Sequence, residues 1–282
     1  MGQIQPEFYG AFACKADRCR HSCCKGWEID VDPASTALYR SLPGPLGEDL
    51  RAALVTTKEG TSFRLTEDDR CPFLEASGLC RVISTLGEDA LCDICALHPR
   101  FFQEVGGWEL AGLGLSCERT CELLADASEL TFLAEGRPVD FTGVLALLGI
   151  SAEAEQLVFT PALSPARQTA LLDLLAETEP IDQDWPRQLE DLCRRLPLAV
   201  PARPDPWYQR VFQYILYRQL ERVRETGLSP LLAYARLCTE FLLLWDAADP
   251  QPAEHLRRWS EQIEYSTENV DRLLTGLSRL PA

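Results

Sequence analysis

The second half of the chain is patterned for helices. "SPARQTALLDLLAET" opens on Ser164 and Pro165, a side-chain cap followed by proline at the first helical position, and keeps an apolar stripe afterwards. "DPWYQRVFQYILYRQLERVRETG" repeats the device with Asp205 and Pro206 and stops on Gly227. "LSPLLAYARLCTEFLLLWDAA", "AEHLRRWSEQIEY" and "ENVDRLLTGLSRL" continue the helical period. "CERTCELLADASELTFLAEG" predicts a helix from Cys117 that ends in Gly136.

Before Cys117 the pattern is short and punctuated. "EIDVD" reads as an extended piece, followed by a helix capped by Asp32 with Pro33 at its first position and stopped by "PGPLG". "TSFRLTEDDRCPFLEASGLCRVI" alternates loosely between turn signals, which predicts a small hairpin around Cys71–Cys80. "EDALCDICALHPR" predicts one or two helical turns ended by Pro99. The expected architecture is mainly α: an irregular cysteine-rich metal-binding module with a small hairpin over residues 1–125, then an α-helical domain over 126–282.

Composition narrows the functional classes. The 282 residues carry a net charge of −16, and residues on both sides of position 125 are acidic. No basic stripe of the kind that tracks phosphates is visible, so nucleic acid is not expected as a partner. No basic stretch followed by an apolar segment opens the chain, and no apolar run reads as a membrane span; a cytoplasmic protein with no membrane partner is expected. The opening "MGQIQP" lacks the Ser or Thr at position 6 that a myristoylation signal needs.

Twelve cysteines change the picture, because ten of them lie between residues 14 and 121. They fall into four groups: Cys14-x4-Cys19-x3-Cys23-Cys24, Cys71-x8-Cys80, Cys92-x2-Cys95 and Cys117-x3-Cys121. In a reducing compartment such clustering points to metal or catalysis, whereas in an exported protein it would point to disulfides. Thiolates crowded together repel one another, and a soft cation cancels the repulsion. Lys15, Arg18, Arg20 and Lys25 surround the first group against a single acid, Asp17. Ten thiols exceed one four-coordinate site, which leaves two sites, or one site plus buried unligated thiols. Zinc and iron–sulfur both stay open on spacing, with His98 a substitute ligand in the zinc case.

The order "FACKADRCRHSCCKGWEIDVD", "RCPFLEASGLCRVISTLGEDALCDIC", "HPR" and "LSC" resembles the flagellin lysine-N-methylase family, part of a wider group with CxxCxxCC-type clusters that chelate zinc or iron. The resemblance covers roughly residues 8–125. It implies transfer of a methyl group from S-adenosylmethionine to surface lysines of a protein substrate such as flagellin, with a cysteine-bound 4Fe-4S cluster (zinc as the alternative) taking part. By position, Cys14, Cys19, Cys23, Cys24, Cys71, Cys80, Cys95 and Cys117 match the family pattern as metal ligands. Cys92 and Cys121 are extra. Trp27 and Arg100 fall in the matching motifs and are the candidate cofactor contacts; an arginine fork suits a carboxylate. No catalytic residue is singled out. Family methylases carry a longer helical C-terminal region than residues 126–282. The alternative is a non-catalytic zinc- or iron-binding module that mediates protein interaction.

The remaining candidates read as structural. "GGWELAGLG" has no strand–helix–strand setting and is expected to be a tight turn rather than a cofactor cradle. Trp207, Tyr208, Phe212, Tyr214 and Tyr217 form a stripe expected in the core. Cys193 and Cys238 are expected to be buried, His255 to lie on the surface, and Glu88 to cap a helix or pair with Arg100.

Overall fold

The computed structural model describes residues 2–281. Its contacts divide the chain into a unit of residues 13–100 and a larger unit formed by residues 1–12 and 101–282. The partition at residue 125 rests on composition and is a different division. The chain starts in the larger unit with strand β1 (Gly2–Pro6).

In the smaller unit, Ile29 and Val31 are buried and flank the Asp30–Ser62 bridge, with Val31 N donating to Thr61 O at 2.7 Å. Helix α1 (Pro33–Ser41) starts as expected, its Ser35 N–H donating to the Asp32 carboxylate at 2.8 Å. "PGPLG" does not only stop α1. It launches α2 (Gly44–Ala53) from Pro43. Gly47 is required there, because a Cβ would sit 2.0 Å from the Leu42 carbonyl oxygen. A two-stranded hairpin follows, β2 (Leu54–Thr56) against β3 (Thr61–Phe63), with Val55 opposite Ser62. The hairpin expected at Cys71–Cys80 is instead a turn closed by a single Leu74–Cys80 bridge, with Gly78 at φ +84°. Two short helices, α3 (Arg81–Leu86) and α4 (Asp93–Leu97), complete the unit. Tyr39, Phe63 and Phe73 are buried at its centre, with ring centroids 5.7 and 5.0 Å apart along the series.

The larger unit is built on a five-stranded mixed sheet. Strands β4 (Arg100–Val105) and β5 (Trp108–Leu113) are joined by Gly106 and Gly107, both at positive φ as a tight primed turn demands. That settles "VGGWELAGLG" as a hairpin. Helix α5 (Glu118–Asp126) is shorter than expected, because residues 132–139 leave the helix for a second hairpin, β6 (Phe132–Ala134) and β7 (Arg137–Val139), with Gly136 in the turn. The sheet order is β4-β5-β1-β6-β7; β1 runs parallel to β5, with Ile4 opposite Leu110, and antiparallel to β6, with Ile4 opposite Ala134.

Helices pack around this sheet: α6 (Phe141–Leu147), α7 (Pro165–Ala176), α8 (Asp184–Arg194), α9 (Pro206–Arg218), α10 (Val223–Thr226), α11 (Leu228–Ala248), α12 (Pro252–Trp259) and α13 (Thr267–Gly276). Helix thus predominates over strand, the mainly α composition expected. The aromatic stripe of α9 is core. Tyr217 Oη lies 2.8 Å from the Ile4 carbonyl and 2.9 Å from that of Ala111, and Tyr214 Oη accepts from Leu113 N and donates to Leu113 O. Buried tyrosines are tolerated when the hydroxyl is satisfied, and here the hydroxyls tie the helix to strand backbone.

Helix α11 corrects the membrane reading. By length and composition it is long and apolar enough to span a bilayer, with a mean hydropathy of 1.2 over its most apolar window. Two-thirds of that window is buried inside the protein (67 %), and a helix apolar on all sides is what a core helix requires. His255 is likewise buried rather than on the surface. It stacks on Trp245 at 4.1 Å, its Nδ1 lies 2.6 Å from Asp246 Oδ1, and Tyr208 Oη donates to Asp246 Oδ2 at 2.7 Å. Cys238 is buried as expected, whereas Cys193 is exposed.

Candidate thiol site

Residues 13–100 gather four of the predicted ligand cysteines, together with the extra Cys92, around one small core. Cys71 and Cys92 are buried in it, and Cys24, Cys80 and Cys95 pack against it. The backbone brings them there from separate segments. Cys71 N donates to Cys24 O at 2.8 Å and Gly26 N to Asp69 O at 2.7 Å, which zips residues 24–26 onto 69–71. The Leu74–Cys80 bridge turns the chain back, and Arg81 N donates to Phe73 O at 2.8 Å, so Cys80 starts α3 beside that strip. Cys92 precedes α4, and Cys95 N donates to Cys92 O at 3.0 Å.

Two residues of α1 hold the Cys92–Cys95 turn. Asp32 caps α1 with Oδ1 and accepts from Asp93 N with Oδ2 at 3.0 Å. These backbone donors, Ser35 first, hold the Asp32 carboxyl down at about 2. Tyr39 Oη donates to Ala90 O at 2.7 Å, just before Cys92, and its burial raises the phenol's pKa further. Asp32 was legible as a cap from "DP"; its second partner is 61 residues away and has no local signal.

The electrostatics are those of crowded thiols. Burial, reinforced by Cys24 and Cys80, pushes the Cys71 thiol up to about 11. A hydrogen bond from Cys23 lowers Cys24 to about 7 against its burial. Cys92 and Cys95 share a hydrogen bond that lowers the first and raises the second, and Cys95 also feels Cys24 and Cys71. Such a set has the donor chemistry of a soft-metal site, since a thiophilic cation would relieve the mutual repulsion. As the side chains stand, no group of three or more His, Cys, Asp or Glu among the described residues is arranged to hold a metal ion.

The other predicted site residues are placed differently. Cys14 and Cys23 are exposed and Cys19 is half-buried, all in the loop before the core, where Cys14 Sγ accepts from Ala16 N at 3.4 Å. Trp27 and Arg100 are half-buried in the same unit. Cys117 belongs to the larger unit and immediately precedes α5, where Cys121 is buried with its thiol donating to Leu115 O at 3.0 Å. The His98 Nε2 is buried without a hydrogen-bond partner among the described residues, and burial lowers the imidazole's pKa. Glu88 is exposed and makes no ion pair among the described residues, so the expected pairing with Arg100 is not formed. A cavity of about 600 Å³ in the larger unit, bordered by Leu145, Ile150 and Glu153, contains none of the residues singled out from the sequence.

No family model matches the chain, and no solved structure matches it. Curated proteins do. The chain is 31 % identical over 129 residues to the lysine-N-methylase of Salmonella typhimurium strain LT2 and equally so to that of Salmonella choleraesuis. It is 30 % identical over 129 residues to the flagellar biosynthetic protein FliU of Salmonella muenchen. Each match takes in 43 % of this chain; it covers 76 % of the FliU protein but only 32 % of the methylases, about a third of their length. The fold and site thus define a cysteine-rich, mainly α protein. On the FliU match, the chain belongs to the family of that flagellar biosynthetic protein.

Proposed function

We propose that this chain acts in N-methylation of protein lysines, with S-adenosylmethionine as the methyl donor and flagellin as the substrate its relatives point to. The supporting observation is the gathering of Cys24, Cys71, Cys80, Cys92 and Cys95 into one core in a chain related to lysine-N-methylases. In this reading the five thiols, with Cys14, Cys19 and Cys23 of the same unit as further candidates, serve a metal centre, a 4Fe-4S cluster or zinc. That centre would supply positive charge to the thiolates and couple its binding to the folding of residues 13–100. Arg100 and Trp27 are the proposed contacts to S-adenosylmethionine.

The transfer itself constrains the protein. The lysine ε-amine must lose a proton before its lone pair attacks the sulfonium methyl carbon. The carbon–sulfur bond then breaks with its electrons left on sulfur, releasing S-adenosylhomocysteine. A desolvated channel or a carboxylate base serves the deprotonation, because both favour the neutral amine. The alternative, a metal-stapled interaction module without catalysis, draws on the burial of Cys71 and Cys92 within the core itself. The two separate in one assay. Metal-replete protein incubated with methyl-labelled S-adenosylmethionine and flagellin is expected to place label on N-methyl-lysine. Absence of both label and saturable S-adenosylmethionine binding would leave the interaction module.

A further inference from the structure

Large exposed apolar side chains are concentrated in one stretch of the smaller unit. Leu79, Ile83, Leu86, Ile94 and Leu97 are each between 38 % and 46 % exposed, five such residues within residues 79–97. Ile83 and Leu86 lie three apart on α3, and Ile94 and Leu97 three apart on α4, so each pair forms a ridge on one helix face. Exposed apolar side chains that group together, unlike ones scattered singly, mark interaction surfaces.

The charge between the ridges has one sign. Glu88, Asp89 and Asp93 are exposed, and no ion pair engages them among the described residues. The one base of the stretch, Arg81, is occupied by Asp49 at 2.5 Å. Apolar ridges flanking unneutralised carboxylates complement a chain segment that alternates apolar and cationic residues.

We propose that residues 79–97 are the docking surface for a lysine-bearing amphipathic segment of a partner protein. The inference rests on the proposed action on protein lysines and names how the acceptor is held. The carboxylates recruit the ammonium groups and the ridges take the apolar face. The surface spans Cys80, Cys92 and Cys95, on the backbone that carries the thiol core.

The test is fluorescence anisotropy of the full chain with a labelled amphipathic peptide built of leucine and lysine. Two comparison peptides replace leucine by serine or lysine by glutamate. The leucine–lysine peptide is expected to bind best. Its affinity should fall by about tenfold or more with Ile83→Ser plus Leu86→Ser, and similarly with Glu88→Lys plus Asp93→Lys, as for loss of anchoring groups at an interface. Glu155→Lys plus Glu190→Lys, which removes equal charge from exposed sites elsewhere, should leave it unchanged. All these positions are exposed, so circular dichroism of the variants should match the parent. Equal binding of the serine–lysine peptide, or equal loss in the control pair, would reduce the effect to the chain's net charge and overturn the proposal. So would self-association abolished by the ridge substitutions while peptide binding persists, since the occupant would then be a second copy. Because the readout is binding, a peptide that docks but is not methylated counts against the methylase reading alone.

Discussion

The Asp32 carboxylate accepts from the Asp93 backbone N–H at 3.0 Å, so the residue that caps α1 also fixes the start of α4 and, with it, Cys92 and Cys95. Asp32→Ala removes both bonds. Loss of a cap of this type costs about 1 kcal/mol, with the second bond adding a comparable amount. The expected outcome in urea unfolding is a lower midpoint with an unchanged slope, and in thiol labelling a faster reaction of Cys92.

The same carboxylate sets an acid limit. Its backbone donors hold it at about 2 in the folded chain, below the ordinary aspartate value near 4. A carboxyl with a depressed native pKa contributes stability that is complete above the unfolded value and is lost as pH falls towards the native one. The contribution of Asp32 should therefore fade between about pH 4 and pH 2. Urea midpoints of parent and Asp32→Asn, measured across that window, are expected to converge at its lower end. A constant difference would contradict the assignment.

Tyr39 donates to the carbonyl of Ala90 inside the thiol core. Tyr39→Phe keeps the ring and leaves that buried carbonyl without its partner, at a cost of about 1–3 kcal/mol. Tyr39→Phe is expected to lower the urea midpoint and to raise the reactivity of Cys92 and Cys95 more than that of the exposed Cys193. Uniform acceleration of all thiols would mean that the unit has simply opened.

In the larger unit Asp246 serves two partners, His255 at 2.6 Å and Tyr208 at 2.7 Å, all three buried. Asp246→Ala strands both, and disruption of such a network costs about 2–4 kcal/mol. Tyr208→Phe and His255→Gln should each cost less, and their double-mutant cycle should show coupling through the shared carboxylate. Additive losses would show that the three do not act together.

Much of the scaffold was legible in the sequence because its signals are local. Asp32-Pro33, Ser164-Pro165 and Asp205-Pro206 are caps whose partners lie within three residues, and each starts a helix as read. The aromatic stripe of α9 declared itself by period and is core. The misreadings trace to distant partners. "SELTFLAEG" carries helical spacing, yet β6 pairs with β1, more than a hundred residues away, and the strand wins. Cys193 follows the buried series Trp185, Leu189, Leu192 by one step, which turns it outward. His255 sits in the polar string "AEHLRRW", but a carboxylate from α11 reaches it from outside that string. Of the candidate site, the cysteines were legible as a set, whereas which of them share a core depended on the zip between residues 24–26 and 69–71.

The proposed metal centre draws on the sulfurs of Cys24, Cys71, Cys80, Cys92 and Cys95. Metal content of the chain purified without oxygen, before and after Cys71→Ala plus Cys95→Ala, tests it most directly. Stoichiometric iron or zinc is expected in the parent and its loss in the variant, while the circular dichroism of the helix-rich larger unit persists. A parent chain that holds no metal, takes up none on reconstitution and titrates with all twelve thiols reduced would contradict it.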